Sequence, residues 1–298
     1  MANTHESLSS LFTDIADAIR EKTGDTGTIV ADLFPEIIRE NLQSIPVELC
    51  LTFSSPNAFS IKTKNTSKNW DGTLEYSTDK KTWSEWNGAE ISAANGVNGY
   101  NLYLRGVENT RITGNVSSTY WVLTGSNIAC NGNIETLLDH MSVENNIHPG
   151  MSEYCYKSMF HGCTSLTTAP ELTATMLTTC CYMNMFYGCT SLITAPELPA
   201  TTLAGSCYQD MFHGCTSLTT APELPATTLI YNCYMNMFYG CTSLTTAPEL
   251  PATTLSAWCY GYMFYGCTSL ITAPELPATK LDQYCYQDMF RGCTSLTT

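Results

Sequence analysis

Residues 159–166 read Met159-Phe160-His161-Gly162-Cys163-Thr164-Ser165-Leu166, and this stretch opens a unit that recurs along the second half of the chain. The recurrences begin at Met185, Met211, Met237, Met263 and Met289, so the period is 26 residues throughout. A fixed period of about 20 to 50 residues is typical of a solenoid, in which each unit buries its apolar face on its neighbours. We therefore predict a repeat solenoid over residues 159–298.

Each unit combines a helical pattern with a short extended segment. The apolar positions of one unit follow the i, i+4, i+5, i+8, i+9 stripe of a helix: Leu203, Cys207, Tyr208, Met211 and Phe212. Gly214 follows at the position where a residue with positive φ ends a helix. Residues 218–224 are β-branched in part, and Pro222 and Pro225 limit helix and ladder pairing there. The unit is therefore predicted to hold one helix and one brief strand.

The unit resembles the BspA-like leucine-rich repeats of bacterial and phage surface proteins, whose signature is Phe-x-Gly-Cys-x-Ser-Leu. The signature stands here as Phe186-Tyr187-Gly188-Cys189-Thr190-Ser191-Leu192 and recurs in every unit. The resemblance covers about half of the chain and implies leucine-rich-repeat geometry. The Ala-Pro-Glu-Leu-Pro block departs from it, because better-known repeats carry a more regular strand at that place.

The first 45 residues predict a helical hairpin. Apolar side chains form a helical stripe over residues 8–21, and a second helix is expected from a cap at Asp32. So small a hairpin cannot bury both stripes alone, so we expect homo-oligomerisation or docking onto another protein. Residues 18–24 and 29–35 look like the amino-terminal segment of minor tail proteins from phages and prophages of gut bacteria. That resemblance implies contacts with other tail proteins through these helices.

Residues 46–126 carry alternating aliphatic, Thr and aromatic residues, which predict a small β-sandwich-like domain. Segments 74–78 and 82–86 are expected to pair as a hairpin, and 101–105 to form another strand. Trp83 and Trp86 either form a carbohydrate platform, or one is core and the other covers an edge. The predicted class is thus α+β and multidomain: helical hairpin, β-sandwich-like domain, and leucine-rich-repeat solenoid.

Residues 127–158 are interpreted as a degenerate capping repeat, because Cys155-Tyr156 stands in register with Cys181-Tyr182. At the other end the chain stops at Thr298 in the middle of a unit. We therefore expect the natural product to be longer.

Charge and composition restrict the partners and the location that we expect for the protein. The net charge of −14 divides into −8 for residues 1–150 (10 basic, 18 acidic) and −6 for the remainder (3 basic, 9 acidic). Neither half has the basic surface that attracts phosphate backbones, which argues against a nucleic-acid partner. No apolar run approaches the roughly 20 residues that span a bilayer, so membrane insertion is not expected. The start of the chain lacks the features of a signal peptide, which favours cytoplasmic synthesis and release by a route such as lysis.

Metal and catalytic chemistry find little support, and no cofactor is predicted. Twelve of the fifteen cysteines form two series at the repeat period. Their spacing suits zinc poorly and would permit disulfides, but buried free thiols are the favoured interpretation. One repeat position holds a glutamate in five units: Glu171, Glu197, Glu223, Glu249 and Glu275. These glutamates either bind a row of calcium ions or are solvated. The five histidines are scattered along the chain: His5, His140, His148, His161 and His213. No catalytic motif appears, so we expect a non-enzymatic protein.

The variable positions of the unit predict a binding face. In one unit these positions are Ala204, Gly205, Ser206, Gln209, Asp210 and His213. On a helix, five of the six lie in one arc opposite the apolar stripe. Drift on an unconstrained surface explains variation but not so many exposed aromatic residues, which are enriched at recognition surfaces. The candidate ligand-binding residues are Tyr187, His213, Tyr231, Tyr239, Trp258, Tyr262, Tyr265 and Tyr284.

Together these patterns predict a phage or prophage tail-associated adhesin, located in the virion, whose repeats bind a cell-surface protein or glycan. The alternative is a BspA-like adhesin of the bacterial cell surface, which would need a secretion signal. A glycan hydrolase in the β-rich part is a third alternative. Flanking tail genes or flanking surface-protein genes would separate the first two.

Overall fold

The computed structural model describes residues 49–116 and 119–297. These residues belong to one compact unit and contain ten strands and a single α-helix. The strands are β1 (Leu51–Ser55), β2 (Ser60–Thr63), β3 (Thr73–Ser77), β4 (Ser84–Glu85), β5 (Ile91–Ser92), β6 (Ala94–Gly96), β7 (Gly99–Val107), β8 (Trp121–Thr124), β9 (Ile128–Asn131) and β10 (Leu166–Thr168). The helix α1 (Thr136–Glu144) follows β9 and is interrupted at Asp139, whose φ is −156°.

The strands form two sheets. The larger has seven strands in the order β10-β9-β1-β7-β3-β4, with β6 pairing on β7, and the smaller has the order β5-β2-β8. All pairs are antiparallel except β9 with β10. Along β7 the buried residues alternate at Leu102, Leu104 and Gly106, which directs one face of the strand to the core.

Aromatic side chains join the two sheets. Phe53 of β1 lies 6.3 Å from Trp121 of β8, measured between ring centroids, and Trp86 meets Trp121 edge to face at 5.1 Å. Trp86 is therefore core, whereas Trp83 is half-buried next to edge strand β4, with the Arg105 guanidinium 4.0 Å from its ring. Of the two interpretations of this pair, the one with a core and an edge tryptophan is confirmed. The predicted hairpin is also confirmed, because β3 pairs with β4.

The repeats stack directly on the larger sheet. Strand β10 lies in the first repeat and pairs in parallel with β9, Leu166 opposite Ile128. From Thr168 the row continues as single parallel bridges, one for each step of 26 residues: Thr168–Thr194, Thr194–Thr220, Thr220–Thr246 and Thr246–Thr272. Phenylalanines follow the same step, with ring centroids 5.6–5.7 Å apart from Phe160 to Phe290, and all are buried except Phe290, which is partly buried. One hydrophobic core thus runs from Leu51 to Met289, and the partly buried Leu296 packs against it.

The helix predicted in each repeat is wrong, because every fourth residue there has a left-handed backbone. In one unit these residues are Ser206 (φ 55°), Asp210 (φ 55°) and Gly214 (φ 71°). A right-handed helix admits no such residue in its interior. The segment is instead a series of overlapping turns, in which the Met211 amide donates to the Tyr208 carbonyl at 3.2 Å. The next amide, that of Phe212, donates across to the following unit at Met237.

The predicted α+β class is therefore wrong for the described residues, which are mostly sheet and turn with one interrupted helix. The N-terminal helical hairpin receives no support from the fold, and its residues 1–45 lie outside the described part of the chain. The predicted strand of each later unit shrinks to single bridges, such as those at Thr220. Pro222 and Pro225 follow closely and supply no amide donors, which explains why pairing stops there.

Candidate recognition surface

A column of stacked rings runs along the outside of the repeats, and we call it the outer ring column. Its members are Tyr120, His161, Tyr187, His213, Tyr239 and Tyr265. From His161 onward neighbouring centroids lie 4.8, 4.3, 4.5 and 4.5 Å apart, and the rings are within 18° of parallel. Tyr120, which comes from the β-rich part, lies 5.5 Å from His161 and tilts by 39°. The column thus crosses from the sheets into the repeats.

The turn geometry of the repeats positions these rings. Each repeat ring follows the buried Phe of the Met-Phe pair and precedes a glycine of positive φ, such as Gly214 after His213. The Tyr239 amide donates to the Asn236 carbonyl at 3.0 Å within its own unit. The Gly214 amide of the preceding unit donates to the Tyr239 carbonyl at 2.7 Å. From the second repeat onward, the amide and the carbonyl of each ring-bearing residue are both hydrogen-bonded, the carbonyl to the preceding unit. Successive units therefore place their rings one above the other.

Polar and charged groups flank the column at defined places. Nδ1 of His213 lies 3.2 Å from Oδ1 of Asp210. Lys64 lies 5.7 Å from the centroid of Tyr120, and the Arg291 guanidinium 5.7 Å from that of Tyr265, so each end of the column has a cation. Burial lowers the pKa of His161, because it disfavours the charged imidazolium. Burial, with a smaller contribution from Tyr265, raises the pKa of Tyr239 and keeps its phenol neutral.

A second group of aromatic residues adjoins the column near its end. Trp258 stacks on Tyr284 at 4.5 Å and lies 6.1 Å from Tyr262. Tyr262 in turn lies 6.2 Å from Tyr265 of the column and accepts a hydrogen bond from Gln287 at 3.0 Å. Gly261 makes room for this packing, since a Cβ there would lie 3.1 Å from the Trp258 ring. The two groups therefore form one contiguous aromatic surface.

The structure brings together seven of the eight predicted binding residues. Four are in the outer ring column, and Tyr262 links them to Trp258 and Tyr284. Tyr231 makes no ring contact with these seven among the described residues; it lies over Gly205 of the preceding unit and is 52% exposed. The variable positions lie in turns and not on a helix, and two of them, Gly205 and Ser206, are buried.

Sequence reasoning missed Tyr120, His161 and the two flanking cations. His161 occupies the same repeat position as His213, which was a usable signal. Tyr120 lies outside the period, so no repeat pattern indicated it.

The cysteine series belong to the core. All twelve carry free thiols, and Sγ of Cys215 donates to the Phe186 carbonyl at 3.1 Å. Burial raises the pKa of Cys215 to about 12, so this thiol stays protonated and unreactive in the folded protein.

The glutamate series lies on the surface, where the side chains line shallow clefts with prolines of adjacent units, as Glu249 and Glu275 do. Within residues 49–116 and 119–297, no group of three or more His, Cys, Asp or Glu side chains is arranged to hold a metal ion. In the same part of the chain no helix has the length and apolarity needed to cross a membrane.

Comparison of the chain with protein-family models, with curated proteins and with solved structures gave no match.

Proposed function

We propose that this protein is a non-enzymatic adhesin associated with a phage or prophage tail, and that it binds a bacterial surface ligand through its repeats. The observation that carries the proposal is the contiguous aromatic surface built from the outer ring column with Trp258, Tyr262 and Tyr284. Rigid tyrosine and tryptophan side chains supply contact area at a low entropic cost, as they do at other recognition surfaces. The tail association is supported by the resemblance of residues 18–24 and 29–35 to the amino-terminal segment of minor tail proteins.

The alternative is a BspA-like adhesin of the bacterial cell surface, which the repeat signature favours. It would use the same aromatic surface. The genes that flank this one separate the two proposals, because tail genes support the first and surface-protein genes the second.

The test is attachment of the labelled full-length chain to a panel of intact gut-bacterial strains. We expect saturable attachment to at least one strain, and its loss when Tyr239, Trp258 and Tyr265 are all replaced by Ser. A matched control replaces three exposed apolar residues of the extended segments, which carry none of these rings, Ile193→Ser, Ile271→Ser and Leu276→Ser, and should attach normally. Thermal melting checks that both variants are folded. Attachment to no strain, or attachment that survives the first variant, would contradict the proposal.

A further inference from the structure

The rings of the outer ring column use their faces to contact one another. Tyr187 lies between His161 at 4.8 Å and His213 at 4.3 Å, and Tyr239 between His213 and Tyr265 at 4.5 Å each. Both faces of such a ring are therefore covered, and a ligand cannot stack on them. What the partly exposed rings offer to solvent is their edges.

Those edges are polar. A neutral phenol can donate one hydrogen bond and accept two, and a neutral imidazole can donate one and accept one. The phenols of Tyr239 and Tyr265 interact with each other, and each phenol oxygen has lone pairs that can accept a hydrogen bond. The column thus presents a line of hydrogen-bonding groups and not an apolar platform.

The column has little charge along its length. Asp210 bonds to His213, and the two cations, Lys64 and Arg291, lie at opposite ends. The repeat glutamates belong to the Ala-Pro-Glu-Leu-Pro block and not to the column. A polyanion would meet a chain of net charge −14, and a polycation would find no row of carboxylates here, so an uncharged ligand fits best.

The spacing of the rings restricts the class of ligand more than their charge does. A ring with a polar edge, either imidazole or phenol, recurs every 4.3–4.8 Å over five rings, from His161 to Tyr265. An extended peptide advances about 3.3 Å per residue and directs alternate side chains to the same side. The spacing of its side chains would therefore not match that of the rings. A folded protein partner presents no regular spacing at all. A linear chain of sugar rings carries hydroxyl groups on every ring, so successive polar edges of the column can each find a partner without a one-to-one register.

We infer that the outer ring column binds a linear, uncharged polysaccharide, which lies along the column with its hydroxyl groups bonded to the ring edges. The inference rests on the proposed function and specifies its ligand. The rings are held in place by stacking before the ligand arrives, so binding orders few protein side chains.

The experiment uses a variant that keeps the rings and removes only their hydroxyl groups: Tyr187→Phe, Tyr239→Phe and Tyr265→Phe. The probe is the uncharged polysaccharide fraction released from a strain to which the protein attaches. Loss of three hydrogen bonds should weaken binding about a hundredfold, at about fivefold for each bond. Longer fragments of the same polysaccharide should compete at lower concentrations than shorter ones, because they contact more rings. The melting temperature should not fall.

The control removes three hydroxyl groups from partly exposed tyrosines of the β-rich part, Tyr76→Phe, Tyr100→Phe and Tyr103→Phe, and should bind like the unaltered protein. The strain is also treated with protease or with periodate, which cleaves sugar diols. Attachment that survives protease and is lost after periodate supports the inference. The reverse result, or a triple Phe variant that binds normally, overturns it. If the Ser variant nevertheless loses attachment, the proposed adhesin function stands and only the ligand class is wrong.

Discussion

The buried tyrosines of the repeats differ in whether their hydroxyl group has a hydrogen-bond partner. These rings stack with centroids 5.5–5.9 Å apart from Tyr156 to Tyr286. The Tyr156 hydroxyl donates to the Ile134 carbonyl at 3.2 Å, whereas the Tyr234 hydroxyl has no hydrogen-bond partner among the described residues. Burial raises the pKa of both phenols well above its ordinary value. A buried hydroxyl without a partner has lost its hydration and gained nothing in return.

Replacing Tyr234 by Phe should therefore raise the free energy of unfolding by about 1 kcal/mol, because the ring stays in the stack and the unsatisfied group is removed. The same replacement at Tyr156 should lower it by about 1 kcal/mol, because the Ile134 carbonyl loses its donor. Urea unfolding followed by circular dichroism measures both. A Tyr234→Phe variant less stable than the unaltered protein would show that this hydroxyl is in fact satisfied.

The outer turns of each repeat depend on residues that tolerate positive φ. Asn236 has a φ of 56°, and its amide donates to the Gly261 carbonyl at 2.9 Å, so its conformation is fixed by the next unit. Asn adopts this left-handed region more readily than other residues with a Cβ, and Gly adopts it without strain.

The replacement Asn236→Ala should change the free energy of unfolding in opposite directions in turns and in a helix. In the turns we expect it to lower the free energy of unfolding by about 1 kcal/mol, because Ala is strained at positive φ. In a helix Ala would raise the free energy of unfolding, since it has a higher helix propensity than Asn. Asn236→Gly is the control and should change stability by no more than about 0.5 kcal/mol. Thermal and urea unfolding of the three proteins decide between the two geometries.

The repeat period, the buried positions and the β3–β4 hairpin were predictable because they depend on local pattern. Cys207, Tyr208, Met211 and Phe212 are buried as the apolar stripe predicted. The absence of a helix was not predictable from that stripe, because a period of four and a period of 3.6 diverge by only about one position over nine residues. A partial signal was the Asn or Asp that stands four residues before the repeat glycine in four of the six units. The stacking of Tyr120 on His161 depends on tertiary contacts between distant segments, and no local pattern encodes those.

The β-rich part occupies the position that a preceding repeat would fill. The amides of Ile112 and Thr113 donate to the Cys155 carbonyl at 2.9 Å, and the Trp121 amide donates to the Met159 carbonyl at 2.8 Å. These are the bonds that each repeat otherwise makes to its neighbour. The first repeat is thus covered, and the outer ring column begins in the β-rich part.

Trp121 is the side chain through which the two parts share their core. It is fully buried and contacts Trp86 at 5.1 Å and Phe160 of the first repeat at 6.1 Å. Trp121→Ala should lower the free energy of unfolding by about 3–5 kcal/mol, through lost apolar burial and the cavity that remains. Because the cavity adjoins both parts, we expect the β-rich part and the repeats to lose stability together.

Two probes test this coupling. Tryptophan fluorescence reports mainly on the β-rich part, which retains Trp70, Trp83 and Trp86 in the variant, and thiol labelling reports on the cysteines of the repeats. Both should give the same denaturant midpoint in the unaltered protein and the same lowered midpoint in Trp121→Ala. Trp83→Ala is the control and should cost about 1 kcal/mol or less, because that ring is partly exposed. Two separate midpoints would contradict a shared core, since nearest-neighbour repeats without such a connection unfold independently of what precedes them.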